Sequence, residues 1–217
     1  MGYGLPKSVE INDQNFSIRY DFRVILTIFE VLDDEELSDE ERAYTALRLF
    51  FVDFDSIPDY DEAIKQLFWF INGGQYPDDK KKEPEIIDWA KDFQFIVSPV
   101  NRVLGKEIRE SEYDPDTNTG GTHWFTFLSA YMEIGDCFFA QVIRIRELKA
   151  KGKPLDKSDR EFYRRNKDVV DIPKKVSKEE ADTLSAWLGK KEPAHEWVEI
   201  KERLVCFHFS LSTHKFC

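Results

Sequence analysis

The sequence is poor in the features that mark many kinds of function. It has three cysteines, Cys137, Cys206 and Cys217, widely spaced and without a CxxC pair. That argues against a disulfide framework or a zinc site and fits a reducing cytosol best. Its apolar runs are short, LFWFI being among the longest, where about 18 residues are needed to span a membrane. The opening stretch MGYGLPKSVEIND has neither a basic start nor an apolar run, so it does not read as a secretory signal. Pro6 stands where a myristoylation signal wants Ser or Thr. Neither Gly73–Gly74 nor Gly120–Gly121 fits a phosphate-binding fingerprint, and GxSxG does not occur. Positive charge is also in deficit. With 31 Lys and Arg against 42 Asp and Glu, the formal charge is −11. Nucleic-acid phosphates and anionic membranes should repel such a chain, while basic protein partners and DNA mimicry stay open.

What is present is a foldable composition. The 217 residues are 41% hydrophobic and 14% aromatic, enough to build a core, and their number suggests one domain or one domain plus an appendage. VEINDQNFSIR alternates, placing Val9, Ile11, Phe16 and Ile18 on one face of a β-hairpin that turns over Asn12–Asn15. The remainder has helical periodicity. Asp21 precedes a stripe of Phe22, Ile25, Leu26, Phe29 and Leu32. Ser38 with Glu41 spells a capping box ahead of Ala43, Leu47, Phe50 and Phe51. Asp59 caps Ile64, Leu67, Phe68 and Ile71, and Gly73–Gly74 closes that helix. DFQFIVSPVNRVLG reads as a helix that Pro99 kinks or starts. Thr122 is the expected cap of the HW helix, and Phe138, Val142, Ile145 and Leu148 are the stripe of the next. Ser158 with Glu161 and Ser177 with Glu180 spell further capping boxes. The expected class is mainly α, about six to eight helices behind an N-terminal β-hairpin. The expected division is a hairpin over 1–20, a helical core over 21–173, and a helical extension with an atypical tail over 174–217.

Several stretches imitate functional sites. In DPDTNTGGTHWF, Asp114, Asp116 and Asn118 occupy positions one, three and five of a calcium loop. Thr119 and Phe125, however, replace its required glycine and bidentate glutamate. A turn-rich loop leading into a helix cap is the plainer reading. His123 has no carboxylate or nucleophile beside it in sequence and no metal-like spacing to His195, His208 or His214, so it reads as a helix-start residue. Asp33 to Glu36 read as a solvated connection whose charge favours the next helix N-terminus. Arg144 and Arg146 read as the polar side of an amphipathic helix.

The aromatic residues are in excess. Phe68, Trp69 and Phe70 cannot share one side of a helix, since neighbours lie about 100° apart. Likewise Trp124, Phe125, Phe127 and Leu128 cover more than one face of their helix. Either those helices are buried nearly all round or they expose an apolar strip for a partner. Phe68, Trp69, Phe70, Trp124, Phe127 and Tyr131 are the residues expected to line that strip.

LPKSVEI, IRYDFRV, LSDEERAYTALRLFF and AIKQLFWFINGG, with HWFTFLSAYMEIGDCFFAQVIRIRELKAKGKPLDKSDREFYRRNKDVVDIP, resemble the bacteriophage gene product fifteen family over about residues 5–173. That family occurs in tailed phages and prophages of Gram-positive bacteria. This sequence departs from the family's pattern at Phe125, where a second tryptophan is common, and in 174–217, which extends past the matching region. The resemblance implies a non-enzymatic tail assembly chaperone. Such a protein would coat the apolar tape-measure protein and assist tail-tube subunits in polymerising around it. It would act in the host cytoplasm, stay out of the mature virion, and need no cofactor. The implied partners are the tape-measure protein and the major tail-tube protein, with a homo-oligomer also expected. Chaperones of this class often come in two lengths through programmed frameshifting, and VCFHFSLSTHKFC has the texture of such an extension or of a gene-end artefact. The rival expectations are an acidic prophage-encoded inhibitor or DNA mimic and a small metal-dependent hydrolase.

Overall fold

The computed structural model describes residues 4–76 and 86–172. Strands β1 (Ser8–Ile11) and β2 (Gln14–Ser17) pair antiparallel, with Val9 opposite Phe16 and Ile11 opposite Gln14. The turn is tighter than the expected four residues. Asn12 and Asp13 alone make it, at φ +49° and +62°, the two positive values that a type I′ turn requires and that short polar side chains tolerate. Two strands are marginal in water. This pair survives by burying Val9, Ile11 and Ile18 in the helical core.

Eight α-helices follow among the described residues: α1 (Phe22–Asp33), α2 (Asp39–Phe50), α3 (Tyr60–Ile71), α4 (Trp89–Leu104), α5 (Trp124–Met132), α6 (Phe138–Ala150), α7 (Lys157–Arg165) and α8 (Lys167–Val170). The fold is mainly α with an N-terminal hairpin, as the periodicity predicts. Between α4 and α5 a second, two-residue ladder pairs β3 (Tyr113–Asp114) with β4 (Thr119–Gly120). No helix among the described residues is long and apolar enough to cross a membrane.

The caps explain where helices begin. Asp21 accepts from Arg23 N, the Ser38–Glu41 capping box forms in full, and Asp59 accepts from Glu62 N. Three starts differ from the sequence reading. α4 begins early, at Trp89 behind an Asp88 cap, and runs through Pro99 to Leu104, ending on a left-handed Gly105. Pro99 lacks an N–H, so the Phe95 carbonyl loses its helical partner there. α7 is capped by Asp156, which accepts from Asp159 N, two residues ahead of Ser158. α5 is capped by His123 rather than Thr122. The expected α6 stripe holds at Val142 and Ile145 but shifts by one position at its start. Phe139, Val142, Ile145 and Arg146 are buried, whereas Phe138 is 41% exposed. The expected Ser177–Glu180 box and the extension over 174–217 lie outside the described residues.

Packing runs in the series α2–α1–α4–α6, with α3 against α2 and β1, α5 against α4 and α1, and α7 and α8 beyond α6. The Arg19 guanidinium clamps the hairpin exit to the end of α2 by donating to the carbonyls of Arg48, Leu49 and Phe51. Those carbonyls have no partners inside their own helix.

Candidate functional site

The residues singled out for chemistry meet at the start of α5, and each is committed to structure. Asp21 is wholly buried. Its Oδ1 accepts from Arg23 N and Nε, at 3.0 and 2.7 Å, and its Oδ2 accepts from Thr122 N at 2.7 Å. Arg23 in turn donates to the Ser111 carbonyl. One carboxylate thus caps α1 and fixes the approach to α5. The paired glycines before it are explained by crowding. A Cβ on Gly121 would stand 2.1 Å from Asp21 Oδ2, and one on Gly120 would stand 2.3 Å from the Glu112 carbonyl oxygen. Both glycines also have positive φ, where side chains are strained.

His123 occupies the same junction. Its Nδ1 accepts from Phe125 N at 3.0 Å, and Nε2 lies 2.8 Å from the Pro6 carbonyl oxygen. The first contact leaves Nδ1 without a proton, so Nε2–H is the donor to Pro6. The ring stacks on Tyr20 with centroids 5.2 Å apart. Burial pushes its pKa below the ordinary histidine value, with Lys7 adding to that and the Pro6 contact and Asp21 opposing it. This is a neutral helix cap that also pins the N-terminal arm.

The calcium-like loop is the turn between β3 and β4. Asp114 accepts from Asp116 N, Thr117 N and the Thr117 hydroxyl. The Asn118 side chain donates to the Ile18 carbonyl and accepts from the Tyr113 hydroxyl. The three side chains therefore do not converge: two of them tie the turn to itself and to the hairpin. Among the described residues no group of three or more His, Cys, Asp or Glu could hold a metal ion.

The expected partner strip is not a strip. Phe70, Trp124 and Phe127 are fully buried, Phe68 and Tyr131 nearly so, and Trp69 is half-buried. Trp124 donates its indole N–H to the Ile71 carbonyl at 2.8 Å, and its ring stacks on Phe127 at 5.4 Å. Phe127 stacks in turn on Phe22, and Trp89 packs against Trp124 and Tyr131. The physical reason is that α3 and α5 are surrounded: α5 lies on α4 and α1, and α3 lies on α2 and the hairpin. Residues on several helix faces can then all be interior.

Two features escaped the sequence reading. Arg146, assigned to a polar face, is buried and uses all its donors. Nη1 and Nη2 bind Asp92 at 2.5 and 3.0 Å, while the carbonyls of Ile86, Val169 and Val170 take the rest. The second is where the more exposed rings lie: Phe138, Tyr44 and Tyr60 are exposed, each beside a buried or half-buried phenylalanine. Phe95, Phe138 and Phe162 form a row across α4, α6 and α7, with centroids 5.4 and 5.5 Å apart. Tyr44, Phe54 and Tyr60 form another beside α2 and α3, with centroids 5.1 and 5.4 Å apart. The one-position shift at the start of α6 is the signal that could have revealed the first row. FFAQV offers two phenylalanines, and only Phe139 fits the buried stripe.

The fold and these contacts define a mainly helical protein with an aromatic interior, in which a hairpin and the buried charges of Asp21, Asp92 and Arg146 organise the packing. Residues 3–104 match the family model described as Bacteriophage Gp15 protein, so this stretch is similar to that phage protein family. The match covers a little under half of the chain and takes in the hairpin, α1–α3 and α4, whereas the resemblance read from the sequence extends over the HW helix and α6–α7 as well. No curated protein and no solved structure matches the chain.

Proposed function

We propose that this protein is a phage or prophage tail assembly chaperone, which binds the tape-measure protein and assists the tail tube in polymerising around it. The observation that carries this reading is the phage family match over residues 3–104. In this role the protein works without catalytic residues or a cofactor, in the cytoplasm of the bacterial host, and leaves before the virion is complete. A tape-measure protein is a long helix former with apolar stripes that aggregate when bare. An acidic chain of formal charge −11 keeps such a complex dispersed. The contact surface differs from the one expected, because the rings of α3 and α5 are enclosed. The row Phe95–Phe138–Phe162 takes their place. It offers an apolar seat for one face of a helix, with Phe138 41% exposed at its centre.

Co-expression tests the reading. A tape-measure fragment from the same phage genome should move to the soluble fraction with the wild-type chain. Phe138→Asp, a change at an exposed ring, should abolish the effect without altering the helical circular dichroism. A fragment that aggregates equally with and without the chain refutes the reading. The concentration of acidic residues between 30 and 62 favours a second reading, an acidic inhibitor or DNA mimic. It predicts capture of a basic DNA-binding protein that collapses as salt rises.

A further inference from the structure

Charge is divided between the two ends of the molecule. Residues 30–62 carry 13 acidic and 2 basic side chains, a formal −11 equal to that of the whole chain. Residues 144–167 carry 10 basic and 4 acidic side chains, a formal +6, of which the charge of Arg146 is buried against Asp92 and the other basic side chains lie nearer the surface. In the packing series α2–α1–α4–α6, the acidic segment belongs to the α2 end and the basic segment to the α6 end. Overall acidity therefore conceals a cationic pole.

Each pole has a built surface. At the acidic end Tyr44 and Tyr60 are 49% and 51% exposed on either side of Phe54. The Arg48 guanidinium lies 5.8 Å from the ring centroids of both Tyr44 and Phe54, so this cluster already holds one cation against aromatic faces. Asp53, Asp55 and Asp61, all exposed, flank it in the chain. At the basic end Lys157, Arg160 and Arg164 recur at helical spacing along α7 and are exposed. Lys157 and Arg164 have no carboxylate partner among the described residues.

We propose that copies of this chain associate head to tail, the cationic face of α7 on one copy seating on the Tyr44–Phe54–Tyr60 rings and flanking carboxylates of the next. A second copy is the occupant because it carries the complementary surface: guanidinium groups at helical spacing for the rings, and cations for the carboxylates. The two faces are different patches, so the contact is heterologous and propagates into short chains or a ring. Most of the charges are at the surface, so the association is weak and falls as salt rises. The contact stands independently of the chaperone reading.

Sedimentation velocity of the full chain tests it. The sedimentation coefficient should rise from low to high micromolar concentration, and the rise should shrink in high salt. Tyr44→Ala/Tyr60→Ala removes one face and Arg160→Glu/Arg164→Glu the other. All four positions are exposed, and circular dichroism checks that both variants fold. Each variant alone should remain monomeric, and an equimolar mixture should form a dimer and stop there, since only one pair of intact faces remains. A wild-type chain that stays monomeric throughout overturns the proposal, as does a variant that self-associates alone or a mixture that stays monomeric. A tape-measure fragment kept soluble by the monomeric variants leaves the chaperone reading standing whatever the sedimentation result.

Discussion

Arg146 on α6 and Asp92 on α4 form a two-pronged ion pair in the protein interior, 54 residues apart in sequence. With the carbonyls of Ile86, Val169 and Val170 also bound, this guanidinium joins the approach to α4, α6 itself and α8. Asp92 further accepts from Asp88 N, at the cap of its own helix.

Arg146→Met should therefore be severe. It leaves the Asp92 carboxylate buried without its counter-charge and strips three carbonyls of a donor, a loss of about 3–5 kcal/mol. Arg146→Lys should recover little, since an ammonium cannot reproduce five donors in a planar fork. Urea unfolding of both variants checks this. Arg165→Ala, whose ion-pair partner Glu161 is exposed like itself, should cost markedly less.

Gly121→Ala should destabilise by about 2 kcal/mol or more, because the added methyl collides with a buried carboxylate and the backbone stays at positive φ. Gly152→Ala is the control. Gly152 also has positive φ, at +63°, but has no atom within 4 Å of the new Cβ, so only the backbone strain of about 1–2 kcal/mol applies. Thermal melts of the two variants should separate them.

Much of this was readable before any coordinates. Asp21, Ser38 and Asp59 announce helix starts because capping is local: a short polar side chain meets backbone N–H groups two or three residues on. The hairpin was legible for the same reason. What was not legible depends on contacts between distant segments. Arg146 looks like a surface residue until Asp92 and three carbonyls arrive from elsewhere in the chain. Thr122 looks like a better cap than His123, but its N–H is drawn to Asp21 across 101 residues and the histidine ring takes over the capping. The rings of α3 and α5 were correctly seen as too many for one helix face. Whether the remaining faces meet solvent or other helices is decided by packing alone.

His123 should make stability depend on pH. Its Nδ1 accepts a backbone N–H, so a proton there breaks the cap, and burial holds its folded pKa below the unfolded value of about 6.5. The unfolded chain then binds more protons as pH falls. The contribution is complete above about pH 6.5 and is lost as pH falls through the lowered folded pKa. His123→Asn keeps a capping acceptor without a titrating ring. Unfolding free energies of the two proteins should converge or cross on going from neutral to mildly acidic pH, where the slope specific to the wild-type chain appears.

Asn118→Ala should weaken the attachment of the β3–β4 turn to the hairpin, by about 1–2 kcal/mol for the lost bonds to Ile18 and Tyr113. Titration of the wild-type chain with calcium in a calorimeter should be flat, because Asp114 and Asn118 are engaged by the turn. A saturable heat that disappears in Asp114→Ala contradicts this account of the loop.

The central proposal is that the protein binds a tape-measure helix through the row Phe95–Phe138–Phe162, centred on the exposed Phe138, while the rings of α3 and α5 stay enclosed. Amide hydrogen exchange of the purified protein, with and without a purified tape-measure fragment, tests it most directly. The account predicts slowed exchange in the segments around Phe95, Phe138 and Phe162, with α5 unchanged. Exchange unaltered by the fragment everywhere, or slowed in α3 and α5 alone, contradicts it.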